Sequence, residues 1–273
     1  IRGAPRDALV ADVSPPSIRG ACYGLRQSMD TVGAVLGPAM AIVLMLWLAD
    51  IQLVLWFAVI PAIVAVALIV VGVKEPTPVS RERTFRSPIH WRVLPGFSRG
   101  YWWVVVIGGV FTLARFSEAF LLLRAQNIGL TPLWAPAVLV LMAMAYSLSA
   151  YPAGVLSDRV GRRGVLMAGL GLLITADLLL ALLPGWAGLA FGVTAWGLHL
   201  GFSQGIFSAM IADSAPANLR GTAFGLFNLL TGAALLIASV VAGLLWESAG
   251  FQATFLVGAG FAVTTLAGLT LLR

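Results

Sequence analysis

The chain alternates long apolar runs with short polar connections. Eight runs are long enough to cross about 30 Å of hydrocarbon as helices rising about 1.5 Å per residue. They are 21–48, 52–73, 101–125, 132–153, 164–183, 186–212, 221–246 and 252–272. Residues 1–12 resemble the inner end of one more helix. Strands are not expected, because lipid cannot satisfy open sheet edges and the runs are too long for barrel strands. The pattern predicts an all-α integral membrane protein with about eight full transmembrane helices.

The composition supports this prediction. Of 273 residues, 60% are hydrophobic and only 10% are charged, against about 25% charged in a soluble domain. The mean hydropathy is +0.96. One cysteine, Cys22, permits no internal disulfide, and two histidines make a metal cluster implausible. We therefore expect a lipid bilayer around the chain, and neither a metal nor a cofactor.

The net charge of +6 is better explained by orientation in a membrane than by nucleic-acid binding, because the basic residues lie in a few short connections. If the helices alternate, these residues share one side, whereas the opposite connections are nearly free of Lys and Arg. This side is predicted to be cytoplasmic, together with the C-terminus and residues 74–100. The basic residues concerned are Arg19, Lys74, Arg81, Arg83, Arg86, Arg92, Arg99, Arg159, Arg162, Arg163, Arg220 and Arg273.

Residues 74–100 form the only long polar stretch, and they contain four prolines. Their composition predicts a linker between two helical bundles. Either a piece near 89–97 lies on the membrane surface as an amphipathic segment, or the stretch is a flexible tether.

An internal repeat joins residues 8–25 to residues 209–226 at an offset of 201 without a gap. Eight of the 18 positions are identical. They are Ala8/Ala209, Ala11/Ala212, Asp12/Asp213, Pro15/Pro216, Arg19/Arg220, Gly20/Gly221, Gly24/Gly225 and Leu25/Leu226. A period this long indicates two duplicated halves rather than a solenoid, and parallel halves joined by a linker are a transporter architecture.

A charged hairpin separates two of the apolar runs. Its pattern is G-x-L-x-D-[RK]-x-G-[RK]-[RK], filled by Gly154, Leu156, Asp158, Arg159, Gly161, Arg162 and Arg163. The glycines permit a tight turn and close helix approach, and the charges require the aqueous rim of a membrane. This pattern resembles the signature loop of the major facilitator superfamily, whose members carry small solutes across membranes.

The resemblance covers essentially the whole chain and implies a two-bundle transporter fold. It corresponds to spans 4 (its end) through 12 of a twelve-helix transporter, so we expect a chain truncated at the N-terminus. The implied domains are the remainder of an N-terminal bundle (1–73), a cytoplasmic basic linker (74–100) and a C-terminal six-helix bundle (101–273). Bacterial drug and metabolite efflux members are the most similar in pattern, which implies a monomer in a bacterial inner membrane.

The resemblance also implies a gate at the cytoplasmic rim. Asp158 should meet the N-terminus of the 21–48 helix and Arg162 should pair with Asp213, so that breaking these contacts opens the gate. The alternative is that the charges only set the topology. The repeat places Arg220 and Gly221 beside Asp213, and Asp12, Arg19 and Gly20 at the equivalent positions, where Asp12 and Arg19 are expected to lack their partner loop.

The 21–48 helix carries Gly33, Gly37 and Pro38 in a G-x-x-x-G-P pattern. Proline kinks a helix and the glycines let another helix approach. The pattern resembles the motif of drug–proton antiporters, although Ala41 and Ile42 replace two expected glycines. Antiport and other forms of coupling both remain open.

Charges within the apolar runs are candidate substrate or proton groups, because an unpaired charge in lipid costs several kcal/mol. Arg26 and Asp30 are four residues apart on one helix face, and Arg115 and Glu118 are three apart on the 101–125 helix. For each pair the alternative is a neutral ion pair that only holds helices together. Asp177, which the resemblance places on a peripheral helix, is expected to be structural.

Three further polar residues are weaker candidates. His199 and Gln204 lie on the 186–212 helix beside glycines at every fourth position, and Asn228 lies on the 221–246 helix. A histidine there could carry a proton or could simply hydrogen-bond a neighbouring helix.

These observations predict a secondary active transporter of a small organic solute, with proton-coupled efflux by antiport as the first expectation. A proton symporter that imports a metabolite is the alternative. An intramembrane lipid-modifying enzyme would need a nucleophile with a base on facing helices, and no such group stands out. A sensor derived from a transporter is a third possibility.

Overall fold

The computed structural model of the protein describes residues 3–48, 50–72, 91–131 and 135–271. These residues contain ten α-helices and no strand. The α-helices are α1 (Gly3–Val13), α2 (Arg19–Leu48), α3 (Ile51–Gly72), α4 (Arg99–Ala114), α5 (Ala119–Asn127), α6 (Ala135–Val160), α7 (Arg162–Leu182), α8 (Gly185–Gly201), α9 (Gln204–Ser214) and α10 (Arg220–Leu271). Short 3₁₀ helices cover Pro16–Ile18, Trp91–Gly96 and Ala217–Leu219. The all-α prediction is confirmed. Most of the predicted linker lies outside the described residues, including Lys74, Arg81, Arg83 and Arg86, as do Arg273 and the side chains of Pro38 and Arg92.

Six helical stretches in the described residues are long and apolar enough to cross a membrane, the last of them Ala217–Thr270. This last stretch contains two of the predicted spans, because Gly250 adopts a φ of +83° that interrupts α10. Two predicted spans are not continuous helices. The 101–125 span is interrupted between α4 and α5, and the 186–212 span is interrupted between α8 and α9. Hydropathy reports on side-chain composition and does not detect such local backbone breaks.

The chain divides into two compact units, which are residues 1–31 with 87–273, and residues 32–86. In the second unit, α3 is apolar along its whole length and exposes large side chains such as Trp56, Ile60 and Ile63. A helix that is hydrophobic all round is suited to lipid rather than to water. Asp50 caps this helix, because its carboxylate accepts a hydrogen bond from the Gln52 N–H at 2.8 Å.

The first unit packs its helices through one-sided apolar faces. On α7 the buried positions recur with helical spacing, and they are Val165, Leu166, Gly169, Leu170, Leu173, Ala176, Asp177, Leu180 and Ala181. Glycines set the closest contacts. A Cβ on Gly192 would lie 2.6 Å from the Leu180 side chain, and one on Gly169 would lie 3.0 Å from the Phe202 carbonyl oxygen. Small residues therefore let α7 closely approach α8 and the residue that ends it.

The two copies of the internal repeat have the same backbone structure in the first unit. The helices α1 and α9 end at Val13 and Ser214, the following 3₁₀ helices begin at Pro16 and Ala217, and α2 and α10 begin at Arg19 and Arg220. Each boundary in the second copy is 201 residues after the first. Pro15 and Pro216, which precede the 3₁₀ helices, have almost the same dihedral angles (φ −56°, ψ 142° and φ −57°, ψ 141°). The two copies of the repeat, although only eight of their 18 positions are identical, therefore have the same order and boundaries of helices.

Candidate functional site

The start of α2 is capped by a residue from another helix. The two carboxylate oxygens of Asp158, near the end of α6, accept hydrogen bonds from the backbone N–H groups of Gly20 (2.9 Å) and Ala21 (2.8 Å). These N–H groups belong to the first turn of α2 and have no partner within the helix. A carboxylate at this position also interacts favourably with the positive end of the helix. The contact anticipated for Asp158 is therefore present.

Arg162 connects Asp158 to Asp213. Its guanidinium donates to Asp158 and, at 2.9 Å, to the Ser157 hydroxyl, while its Nε lies 3.2 Å from the Asp213 carboxylate. Arg19 donates to the other oxygen of Asp213 at 2.8 Å. Asp213 thus receives two arginines, one from the charged hairpin and one from the first copy of the repeat.

Asp12 and Arg19, which are expected to lack their own partner loop, pair instead with the second copy of the repeat. Arg19 pairs with Asp213, and Arg220 pairs with Asp12. The physical reason is symmetry, since the two copies of the repeat face each other and the arginine of each reaches the aspartate of the other. We call Asp12, Arg19, Asp158, Arg162, Asp213 and Arg220 the loop cluster.

Glycines bring the backbones together beside the loop cluster. A Cβ on Gly154 would contact the Gly20 carbonyl oxygen, and a Cβ on Gly20 would lie 2.6 Å from the Gly154 carbonyl oxygen. Gly161 has a φ of +95°, which lets the hairpin turn between α6 and α7. A Cβ on Gly221 would meet nothing within 4 Å.

The remaining arginines of the hairpin have different surroundings. Arg163 donates to the carbonyl oxygen of Leu269 near the end of α10. Arg159 is exposed, and no hydrogen bond or ion pair joins it to the described residues.

A cavity of about 310 Å³ lies in the first unit, lined by residues of α1, α2, α4, α9 and α10 and by residues at the two helix breaks. Arg115 stands at the first break, where its backbone is extended (φ −114°, ψ 104°). Ser203 stands at the second break and precedes α9. Irregular backbone at membrane depth is tolerated where it lines a cavity, because water or a ligand can satisfy the exposed polar groups.

One wall of the cavity carries a network of ion pairs. Guanidinium nitrogens of Arg26 lie 3.3 Å from an Asp7 carboxylate oxygen and 3.1 Å from an Asp30 carboxylate oxygen. Guanidinium nitrogens of Arg6 lie 3.0 Å from an Asp30 carboxylate oxygen and 3.7 Å from an Asp7 carboxylate oxygen. Two arginines therefore share two aspartates, which balances their charges. The predicted pair Arg26/Asp30 is part of this network, and sequence reasoning missed Arg6 and Asp7. Their charges in residues 1–12, next to the repeat, were the only signal in the sequence, and their contact with Arg26 and Asp30 is set by packing.

The predicted pair Arg115/Glu118 is not brought together on one helix face. The helix ends at Ala114 and the next begins at Ala119, so that Arg115 lines the cavity while Glu118 is exposed outside its lining. Among the described residues, no carboxylate lies within ion-pair distance of Arg115 and no hydrogen bond is made by its guanidinium.

The other predicted polar residues separate into two groups. Gln204 and Asn228 line the cavity. His199 is fully buried outside the cavity lining, and neither ring nitrogen has a hydrogen-bond partner in the described part of the chain. It packs edge-on against Trp196, with ring centroids 5.3 Å apart. A direct contact between His199 and a solute in this cavity is therefore not supported.

The Gly33, Gly37 and Pro38 motif lies within the continuous helix α2, in the second unit. A Cβ on Gly33 or Gly37 would meet no described atom within 4 Å. The close approach of a neighbouring helix that these glycines predicted is not seen among the described residues.

Comparisons with known proteins agree with one another. A family model described as Major Facilitator Superfamily matches residues 116–273. An uncharacterized MFS-type transporter of Methanocaldococcus jannaschii is 31% identical over 280 residues, which cover 100% of this chain and 68% of that protein.

Solved transporter structures share the fold. The human organic anion transporter MFSD10 (TETRAN) matches with a TM-score of 0.79 and 18% identity over 97% of this chain and 67% of its own. The transporter FucP in its outward conformation matches with a TM-score of 0.74 and 15% identity over 98% of this chain and 72% of its own. At these identities the likeness shows the fold alone.

Proposed function

Because the chain belongs to the Major Facilitator Superfamily, we propose that its cavity binds a small organic solute and is exposed alternately to the two sides of a membrane. Family membership makes the protein a secondary transporter of a solute and not an enzyme, which sets aside the lipid-modifying alternative. It also confirms the resemblance read from the charged hairpin. The observation that supports the proposal is a polar cavity at the level of two broken helices, a known arrangement for transporter binding sites.

The loop cluster is proposed to hold the gate on the cytoplasmic side. Its aspartates bridge the first copy of the repeat to the hairpin and to the second copy. Separating these segments would break all of these ion pairs together, so closure of this side is cooperative. Residues 1–73 and 101–273 are proposed to be the two moving bundles and 74–100 the linker, with the basic side and the C-terminus in the cytoplasm of a bacterial cell and the protein a monomer in the inner membrane.

The proton is the proposed coupling ion, and Asp30 is its proposed carrier. Asp30 is half exposed, and it accepts from both Arg6 and Arg26. Protonation of the carboxylate removes its charge and breaks both ion pairs, so that Arg6 and Arg26, which line the cavity, lose a shared negative partner. A proton on Asp30 is thus electrostatically linked to any charged solute in the cavity.

Efflux by antiport is the proposed direction, and the resemblance of Gly33, Gly37 and Pro38 to an antiporter motif supports it. Symport is the second candidate, and the sign of the coupling between solute and proton flux separates the two.

Transport by purified protein in liposomes tests the proposal. Uptake of anionic, uncharged and cationic naphthalene derivatives would be measured with a pH gradient of either sign, together with internal pH. Solute moving against the proton flux indicates antiport, and solute moving with it indicates symport. Flux of none of them above protein-free liposomes would contradict the transport function.

Asp30→Asn tests the coupling site, because the amide resembles a permanently protonated carboxyl. We expect solute exchange without a gradient to continue and the response to pH to be lost. Asp50→Asn is the matched control, since Asn caps a helix as well as Asp does. Coupling lost in His199→Ala but kept in Asp30→Asn would move the proton site to His199.

A further inference from the structure

Positions related by the offset of 201 both line the cavity, but their side chains differ in chemistry. In the first copy, Arg6 and Arg26 line the cavity. Their equivalents at the offset of 201 are Phe207 and Phe227, which also line it. The duplicated scaffold therefore lines one cavity with charged side chains from the first copy, which form its charged wall, and with aromatic side chains from the second, which form its aromatic wall. The difference between the two copies makes the cavity amphipathic.

The aromatic wall is continuous. The ring centroids of Phe111 and Phe207 are 5.1 Å apart, and those of Phe207 and Phe227 are 6.0 Å apart. Phe227 packs against α4 at Gly108, where a Cβ would lie within 2.9 Å of the ring atom Cζ. Such rings present a large apolar surface to a bound ligand and favour offset or tilted contact with another ring.

The charges around the cavity do not cancel. Three arginines (Arg6, Arg26 and Arg115) and one aspartate (Asp7) line the cavity, and Asp30, which lies outside the lining, pairs with Arg6 and Arg26. Together these three positive and two negative charges leave one positive charge (3 − 2). The ion-pair network balances Arg6 and Arg26, so the surplus belongs to Arg115. Glu118 follows three residues later but is exposed outside the cavity lining and makes no ion pair with Arg115 in the part of the chain that the structure describes.

Arg115 and the aromatic wall are spaced for one ligand. Arg115 directly follows α4, and Phe111 precedes it by four residues, which is about 6 Å along a helix. Gly108, where Phe227 packs, precedes it by seven residues or about 10 Å. A planar aromatic acid spans a similar length.

We propose that the transported solute is an amphipathic organic monoanion, whose acidic group pairs with Arg115 and whose apolar ring packs against Phe111, Phe207 and Phe227. This inference rests on the proposed function, in which the cavity is the solute site. An anion supplies the missing partner of Arg115. A cation adds to the surplus positive charge, and an uncharged solute leaves the guanidinium unpaired in a site that the ligand has closed to water.

Binding of three probes that share one ring tests the charge. 1-Naphthalenesulfonate is an anion at all relevant pH values, 1-naphthalenesulfonamide is uncharged, and trimethyl(1-naphthylmethyl)ammonium is a cation. Calorimetry on the purified protein in nanodiscs is expected to show the sulfonate binding about tenfold or more tighter than the other two, since a charged hydrogen bond contributes about that factor. Methanesulfonate, which keeps the acid and lacks the ring, is expected to bind at least about tenfold more weakly than the naphthalene anion.

Variants test which residues bind the acidic group of the ligand and which bind its ring. Arg115→Gln is expected to remove the preference for the sulfonate over the sulfonamide, and Arg115→Lys to restore part of it. Arg99→Gln is the matched control, because Arg99 is the exposed first residue of α4, and it should leave the affinities for all the probes unchanged. Phe227→Ala should reduce the difference in affinity between naphthalenesulfonate and methanesulfonate without altering the preference for an anion.

The results separate the substrate class from the transport function. The proposal that the solute is a monoanion would be overturned by any of three results. They are equal or tighter binding of the sulfonamide or the cation than of the sulfonate by the unmodified protein, binding of no probe, and an unchanged preference for the sulfonate in folded Arg115→Gln. If Arg115→Gln does not fold, the probe series on the unmodified protein still decides. Flux of the cation or amide with no preference for the anion contradicts the substrate class alone, and selective anion binding without flux contradicts transport alone.

Discussion

Asp177 shows what burial does to a single charged residue. It is fully buried on α7, and neither carboxylate oxygen has a hydrogen-bond partner among the described residues. Its Oδ2 would lie 2.8 Å from a Cβ placed on Gly258 of α10, so only glycine fits opposite it. A buried polar group without a partner costs free energy, and an ionised one costs more than a neutral amide. The residue therefore does not contribute to stability through a polar contact.

We expect Asp177→Asn to keep the melting temperature of the purified protein or to raise it by a few degrees, because the substitution removes the ionisable group without changing the volume. Transport in liposomes should be unchanged. Glu247→Gln, an exposed acidic position on α10, controls for loss of one negative charge. A variant that melts normally but no longer transports would give Asp177 a functional role and contradict the structural interpretation.

At the scale of single residues, sequence reasoning identified charged residues more reliably than their partners. Residue type and position within an apolar run were enough to select Arg26, Asp30 and Arg115. The partners Arg6 and Asp7 come from a helix about 20 residues away in sequence, and only packing brings them to Arg26. The exposure of Glu118 follows from the helix break before it, which composition does not show.

At the scale of elements, the start of α2 depends on another helix for its cap. Its first-turn N–H groups donate to Asp158 on α6, more than 130 residues away. Cys22, which is the only cysteine in the 273 residues, lies one residue after this contact and is partly buried. The junction between α2 and α6 therefore contains a natural chemical reporter.

Asp158→Asn is expected to raise the rate at which a maleimide labels Cys22. An amide offers one oxygen in place of two and turns an N–H₂ group towards a second donor, which costs about 1–3 kcal/mol. Labelling of protein in nanodiscs, followed by mass spectrometry, measures the effect, and Arg159→Gln at the neighbouring exposed position is the control. An unchanged labelling rate in Asp158→Asn would show that this cap does not hold the junction closed.

The broken helices show why element boundaries were harder to predict than element type. The apolar length of 101–125 and 186–212 predicted two continuous spans. The backbone instead leaves the helix at Arg115 and at Phe202–Ser203, where the cavity provides room for irregular structure. By contrast, the 3₁₀ helices of the two repeat copies begin after Pro15 and Pro216, a local signal that the sequence does contain.

At the scale of the whole molecule, the first compact unit is organised by a two-fold repeat with unequal charges. Asp12 and Asp213 are equivalent at the offset of 201, yet Asp12 pairs with Arg220, whereas Asp213 pairs with both Arg19 and Arg162. The extra arginine comes from the hairpin, which joins the cluster only on the side of the second copy.

Asp213→Asn is therefore expected to weaken the loop cluster more than Asp12→Asn, although the two positions are related by the repeat. The difference should appear as faster maleimide labelling of Cys22 in Asp213→Asn, and it should shrink at high salt because partly exposed ion pairs are screened. Equal labelling rates in the two variants would mean that Arg162 contributes nothing to closure.

The sequence alone determined that the protein is helical and lies in a membrane, that it is duplicated, and that it belongs with facilitator-type transporters. These properties follow from local quantities, namely the length of apolar runs, an offset between identical residues, and a short motif at the end of one run. Only the tertiary structure decided that each aspartate of the repeat pairs with the arginine of the other copy, that Glu118 lies outside the cavity lining, and that charged and aromatic side chains line the same cavity. Those properties depend on distances between helices far apart in sequence, which packing alone sets.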